Sequence, residues 1–137
     1  AAQGEGAWKG RAFRNAKRIH VSDRASLNDA TLSYSSLGGW EERGMLPEFL
    51  DLTRRVWRNR AFGDFWSYMM VAEGIVEIAT EPDLALYDMA ALVPIVEEAG
   101  GTFTSLTGAP GPWGADAVAT NGALHEAVLG IVGTADV

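Results

Sequence analysis

In the second half of this chain, helix-patterned segments alternate with short β-rich runs, and glycine or proline closes most of them. That alternation admits few architectures. It predicts an α/β fold, a layered αβα sandwich whose mixed, largely parallel sheet is covered by helices on both faces. A helix is predicted over 46–57, where Pro47 suits the first turn and Leu46, Phe49, Leu50, Leu52, Val56 and Trp57 form the apolar stripe. A second follows over 64–73, with Asp64 as its N-cap and Gly74 as its stop. Residues 75–80 read as a central strand. Residues 88–98 read as a helix ended by Gly100-Gly101, and Pro94, beyond its first turn, demands a kink or a later start. Strands are expected at 102–104 and 117–120, and Asn121-Gly122 turns the chain into a last helix over 123–131. Upstream, the glycine-rich residues 1–16 read as a hairpin or loop around Ala7-Trp8. Residues 19–21 form a short strand, and 31–36 another that Gly38-Gly39 stops.

The 137 residues amount to a single domain over 1–137, long enough for a core without staples. There is no cysteine, which excludes a disulfide scaffold, a thiolate metal site and a cysteine nucleophile. The longest apolar run, 89–96, is eight residues, too short to span a membrane. No basic-then-apolar leader opens the chain, so a cytoplasmic location is expected. Its first residue is Ala rather than Met, the mark of a processed chain or a fragment.

Charge is divided along the chain. All eleven Lys and Arg lie in residues 1–60 beside seven acids, whereas 61–137 carry eleven acids and no Lys or Arg. The bases are scattered and no aromatics interleave with them, so a nucleic-acid surface is not expected. Either the two halves pack with complementary fields or the acidic half needs a cation, for which a divalent metal is the obvious candidate.

Chemistry concentrates between Glu81 and Gly101. Asp88 follows a strand-like stretch and precedes a helix, so its carboxylate either merely caps that helix or faces the loop where ligands of open α/β sheets collect. Glu81 lies seven residues earlier across the same loop, as a ligand contact or an exposed strand-end acid. His20 and His125 show no metal spacing and read as structural, and Glu97 and Glu98 as solvated. Trp57 and Trp66 read as core or interface anchors. No Gly-x-Ser-x-Gly elbow surrounds any serine, which leaves serine hydrolase chemistry without support.

Tyr87-Asp88-Met89-Ala90-Ala91, followed by Ala99-Gly100-Gly101, resembles the C-terminal signature of the inositol monophosphatase family, with Tyr87 where tryptophan is usual. The resemblance runs through the whole chain. Gly4-x-Gly6-Ala7 resembles the family's mid-chain glycine turn, and Val21-Ser22 the strand and serine that follow it. Gly63 with its helix resembles the segment lining the substrate pocket, and Ala119-Thr120-Asn121-Gly122 the final strand-to-helix turn. The run Arg60-Ala61-Phe62-Gly63-Asp64-Phe65-Trp66 is most similar to the histidinol-phosphatase branch, because inositol phosphatases tend to carry Gly-Ser-Ala or Gly-Thr-Ala at this place.

The resemblance implies an Mg2+-dependent enzyme that hydrolyses a small phosphate monoester. L-Histidinol phosphate comes first, inositol 1-phosphate is the alternative, and fructose bisphosphate is more distant. It implies Asp88 as a metal ligand, with the helix beginning there turning its positive dipole end toward the substrate. It implies Glu81 as the acid that contacts the substrate's organic portion. Asp64 is then expected to read the ammonium or imidazole, since a neutral polyol gives little reason for an extra carboxylate. Ser35 or Ser36 lines the pocket from a strand end, and Arg60 either pairs with an acid or is an ordinary surface arginine. The family's first half supplies a glutamate ligand and an Asp-Pro-x-Asp-Gly-Thr loop, and no such loop occurs here. The chain therefore reads as the C-terminal half of a phosphatase about twice as long, unable to hold a multi-metal cluster alone. The absent N-terminal half is an expected partner, and a homodimer the expected assembly. A catalytically silent half-domain that serves as an assembly module is the alternative from a different class.

Overall fold

The computed structural model describes residues 1–134. The chain begins with an antiparallel hairpin, β1 (Ala7–Lys9) against β2 (Lys17–Ile19). It continues through β3 (Thr31–Ser33), α1 (Leu37–Glu42), α2 (Leu46–Arg55), β4 (Arg58–Arg60), α3 (Asp64–Ala72) and β5 (Ile78–Glu81). Then come α4 (Leu86–Met89), α5 (Leu92–Glu98), β6 (Thr102–Thr104), β7 (Ala117–Thr120) and α6 (His125–Val132). The five later strands form one sheet in the order β4-β3-β5-β7-β6. Pairs β4/β3 and β3/β5 are parallel, and β7 runs antiparallel to both of its neighbours. The sheet is thus mixed, as expected, but two of its four pairings are antiparallel, so it is not largely parallel.

Two-residue periodicity sorts the strands into two cores. On one face Leu32, Ile78 and Val118 pack with Trp40 and Phe49 of α1 and α2 and with Val128 and Val132 of α6. The Trp40 and Phe49 rings stack with centroids 4.6 Å apart. On the other face Ala79, Ala117, Ala119 and Phe103 meet Tyr68 and Val71 of α3, Met89 of α4 and Val96 of α5. This is the expected αβα sandwich. A smaller contact of Ala7, Ala72 and Ala99 docks the hairpin on α3 and α5. A backbone bond from Val21 N–H to the Ala99 carbonyl, 2.9 Å, reinforces it.

Several local expectations change. Gly38-Gly39 does not end the chain's regular structure but lies inside α1, where Trp40 is fully buried. Burial of that indole outweighs the low helix propensity of two glycines. Strand β4, Arg-Asn-Arg in sequence, carries no apolar signal and exists because β3 offers it an edge. Strand β5 starts at Ile78, three residues later than expected, and Ile75 is exposed. The helix expected over 88–98 is two pieces. Pro94 stands in the first turn of the later-starting α5, the outcome its missing N–H favours. Gly101 is required by packing, since a Cβ there would stand 2.6 Å from the Thr120 carbonyl oxygen. Trp57 and Trp66 are more than half exposed, so neither anchors the core, and the Arg58 guanidinium lies 4.6 Å from the Trp57 ring centroid. Glu98 is not merely solvated. Its carboxylate accepts the Gly6 N–H at 2.9 Å, and backbone N–H groups of the 4–6 turn, Gly6 foremost, hold its pKa below the ordinary value.

Candidate active site

Three parallel strands, β3, β4 and β5, end on the same side of the sheet, so the segments that follow them gather there. Ser35 and Ser36 follow β3, Gly63 and Asp64 follow β4, and Glu81 closes β5. Because β7 runs the other way, its start lies at this end too, with Ala117 opposite Glu81. A cavity of about 250 Å³ is bordered by Asp64, Tyr68, Glu81 and Asp88, with Phe65, Leu84 and Leu92 as its apolar wall. The three carboxylates singled out from the sequence therefore meet at one place. Ser36 borders an adjoining cavity of about 340 Å³ on the other side of Glu81.

Their settings differ. Glu81 is 8% exposed, and its Oε1 is buried without a hydrogen-bond partner. Burial pushes its pKa up, the Asp64 and Asp88 charges push the same way, and a hydrogen bond with Ser35 opposes them. Ser35 and Ser36 both border the adjoining cavity with Glu81, and Ser36 stands at the N-cap position of α1 without a capping bond. Asp64 and Asp88 are exposed.

Two capping expectations are corrected. Gly63 holds the N-cap position of α3 with φ 73° and ψ 173°, a conformation open essentially to glycine alone. Asp64 is the first helical residue, at a left-handed φ of 51°, and makes no cap. Asp88 does not begin a helix either; it is the third residue of α4, whose N-cap position is Ala85. At four residues α4 aligns too few peptides for the dipole role expected of it.

The neighbours of Glu81 are tied down. Arg43, after α1, donates to the Pro82 carbonyl and pairs with Asp116 at 2.8 Å, while the other Asp116 oxygen accepts Leu106 N–H at 2.7 Å. Neither Arg43 nor Asp116 was legible as part of the site, because 73 residues separate them, and Tyr68 reads from its spacing as ordinary helix core. Arg60 donates to the neighbouring Asn59 carbonyl, as a surface arginine does. His125 hydrogen-bonds Thr104 and Thr120, and Thr120 pairs with Ile78 at the opposite end of β5 from Glu81. Burial lowers the His125 pKa.

Carboxylate oxygens are the donors Mg2+ prefers, and the unpartnered Oε1 of Glu81 is an acceptor in want of a donor or cation. Among the described residues, however, no group of three or more His, Asp or Glu side chains could hold a metal ion by itself. The chemistry of these side chains fits a metal, but their arrangement makes one wall of a site. No helix among them is long and apolar enough to cross a membrane.

The profile of the inositol monophosphatase family matches residues 1–135. The chain belongs to this family. It is 58% identical to the histidinol-phosphatase of Streptomyces coelicolor over 95% of its length and 49% of that protein. It is 52% identical to the histidinol-phosphatase of Mycobacterium tuberculosis over 94% of its length and 50% of that protein. Among solved structures, the Thermotoga maritima IMPase superposes with a TM-score of 0.80 at 28% identity, covering 96% of this chain and 49% of that one. The chain spans about half the length of the curated relatives it matches.

Proposed function

We propose that this chain is the substrate-binding C-terminal half of an Mg2+-dependent phosphatase whose substrate is L-histidinol phosphate. What carries this reading is the gathering of Asp64, Glu81 and Asp88 around one cavity, in a chain 58% identical to a histidinol-phosphatase. Asp88, the exposed carboxylate on the loop side, would hold Mg2+ together with ligands from the half that the chain does not span. When bound, Mg2+ offers a Lewis acid for the phosphate oxygens and the leaving alkoxide. The rest falls to this chain's own side chains. Asp64 and Glu81 put negative charge where the substrate carries its ammonium, and the nearby Arg43 is paired with Asp116. Phe65, Leu84 and Leu92 give an imidazole ring an apolar wall that excludes water. A cytoplasmic homodimer belongs to the same proposal, and sedimentation of the assembled enzyme checks its dimeric state.

The test is phosphate release with Mg2+ from L-histidinol phosphate and inositol 1-phosphate. The chain is assayed alone and after mixing with the complementary half of the Streptomyces coelicolor relative. The chain alone should be silent, and the complemented enzyme should act on L-histidinol phosphate. Asp64→Ala should hurt that substrate far more than inositol 1-phosphate, and equal losses on both would remove Asp64 from the reading. Near-normal turnover by Asp88→Asn would sink the metal assignment. Release from inositol 1-phosphate alone would transfer the activity to the other substrate class.

A further inference from the structure

A second residue bordering the cavity carries a buried polar atom without a partner. The Tyr68 side chain is fully buried, its ring lying 5.7 Å from that of Phe103, and its hydroxyl has no hydrogen-bond partner. Buried tyrosine hydroxyls ordinarily find one. A wall needed only for packing would be filled as well by phenylalanine, without stranding a polar atom. Two unpartnered polar atoms, the Tyr68 hydroxyl and Glu81 Oε1, therefore belong to residues bordering the same cavity. Both residues are at least nine-tenths buried.

We propose that Tyr68 is a specificity-determining residue of this site, its phenol oxygen and the Glu81 carboxylate together receiving the N–H groups of a primary ammonium on the substrate's organic part. The proposal rests on the function proposed above and deepens it. An ammonium has three N–H groups to place, and a carboxylate alone leaves some of them without a partner. The phenol supplies a neutral acceptor, since its hydrogen can rotate away and leave a lone pair toward the cavity. Burial, and after it the Glu81 charge, holds the phenol protonated, well above its ordinary pKa. It therefore adds no further negative charge to a site already ringed by three carboxylates. Asp64, at the cavity's exposed rim, reads charge through water, whereas Tyr68 and Glu81 read geometry. A site whose buried polar groups are completed only by the right substrate rejects an analogue lacking that group more strongly than apolar contact could.

Tyr68→Phe keeps the ring and removes only the oxygen. It is compared with the parent in the complemented enzyme, on L-histidinol phosphate and on the same ester without its amino group. The parent should prefer the amino ester, and Tyr68→Phe should lower that preference about tenfold, the scale of a hydrogen bond to a charged group. The loss should appear in KM, with kcat kept and the des-amino ester unaffected. Thermal unfolding of the free protein supplies the readout that a structural role would move: Tyr68→Phe should unfold at the same temperature or higher. A parent that prefers the amino ester and a variant that keeps the whole preference overturn the role of Tyr68 and leave the proposed function standing. A parent without any preference for the amino ester, or inactive on both, overturns the proposed substrate and the role of Tyr68 with it. A variant that unfolds at clearly lower temperature and loses both esters alike makes Tyr68 a packing residue, which also overturns the proposal.

Discussion

Replacing Arg43 with alanine should loosen the fold and the floor of the site together. Its guanidinium ties the end of α1 to the adjoining ends of β5 and β7, through the Pro82 carbonyl next to Glu81 and the Asp116 carboxylate just before β7. Asp116 is 4% exposed and would keep only its bond from Leu106 N–H. Removing one partner of a fully buried pair costs about 3–5 kcal/mol, because the remaining charge stays desolvated. The Arg43 side chain is 37% exposed, so water can enter where it stood and the figure must be discounted toward that of surface pairs. The expected loss is about 2–3 kcal/mol, equivalent in a chain of this size to a fall in Tm of roughly 6–12 °C. Arg43→Lys should recover part of it, since an ammonium cannot match the guanidinium's fork across both acceptors. Urea unfolding of the parent, Arg43→Ala, Asp116→Asn and the double variant closes the cycle, with an expected coupling of about 1–2 kcal/mol. An Arg43→Ala loss under about 0.5 kcal/mol, the range of exposed ion pairs, would mean that Asp116 is not left desolvated.

Three further outcomes follow from the same site and its opposite end. Glu81 is held with a raised pKa by burial, so its contribution to stability falls as pH rises from the ordinary carboxylate value through the raised folded one. Glu81→Gln should therefore raise the urea midpoint at about pH 7.5, with the gain fading toward about pH 4.5, while abolishing amino-ester preference; a lower midpoint at neutral pH would contradict this. Gly63→Ala should cost about 1–3 kcal/mol of backbone strain alone, because the nearest atom to the new Cβ is 3.7 Å away, and an unchanged Tm would show that the loop relaxes freely. His125 is buried with a lowered pKa, so the unfolded chain binds a proton that the folded one refuses, and stability is lost as pH falls below the ordinary 6.5. His125→Gln should flatten that acid limb in Tm measured from about pH 7.5 to about pH 5, and an identical limb would assign it to other groups.

Much of the layered fold was legible because it rests on local patterns. The short strand at 117–120, closed by Asn121-Gly122, and the apolar stripe after Leu46 survive any choice of neighbours. The acids of the site were legible as well, through family resemblance and their place after strands, but the capping expected of Asp64 and Asp88 does not occur. Asp64 reads as an N-cap only while the extended glycine before it is unseen. What escaped depends on distant partners. Strand β4 has no apolar residue and is defined by the edge of β3, and α1 is helical because Trp40 fills the space beside Phe49. The Arg43 tie and the unpartnered Tyr68 hydroxyl likewise arise from packing between remote segments. No spacing along the chain encodes such encounters.

The docking of the first hairpin has a consequence for how the protein comes into being on the ribosome. Gly6 is held by Glu98, 92 positions downstream, Val21 by Ala99, and the Arg24 carbonyl by Asn121, 97 positions downstream. None of these anchors exists when residues 1–25 leave the exit tunnel. At typical rates of about 5–20 residues per second this segment waits roughly 5–20 seconds for them. Residues 1–25 are thus secured by segments made some ninety positions later, and a nascent-chain chaperone has time to act on them before that.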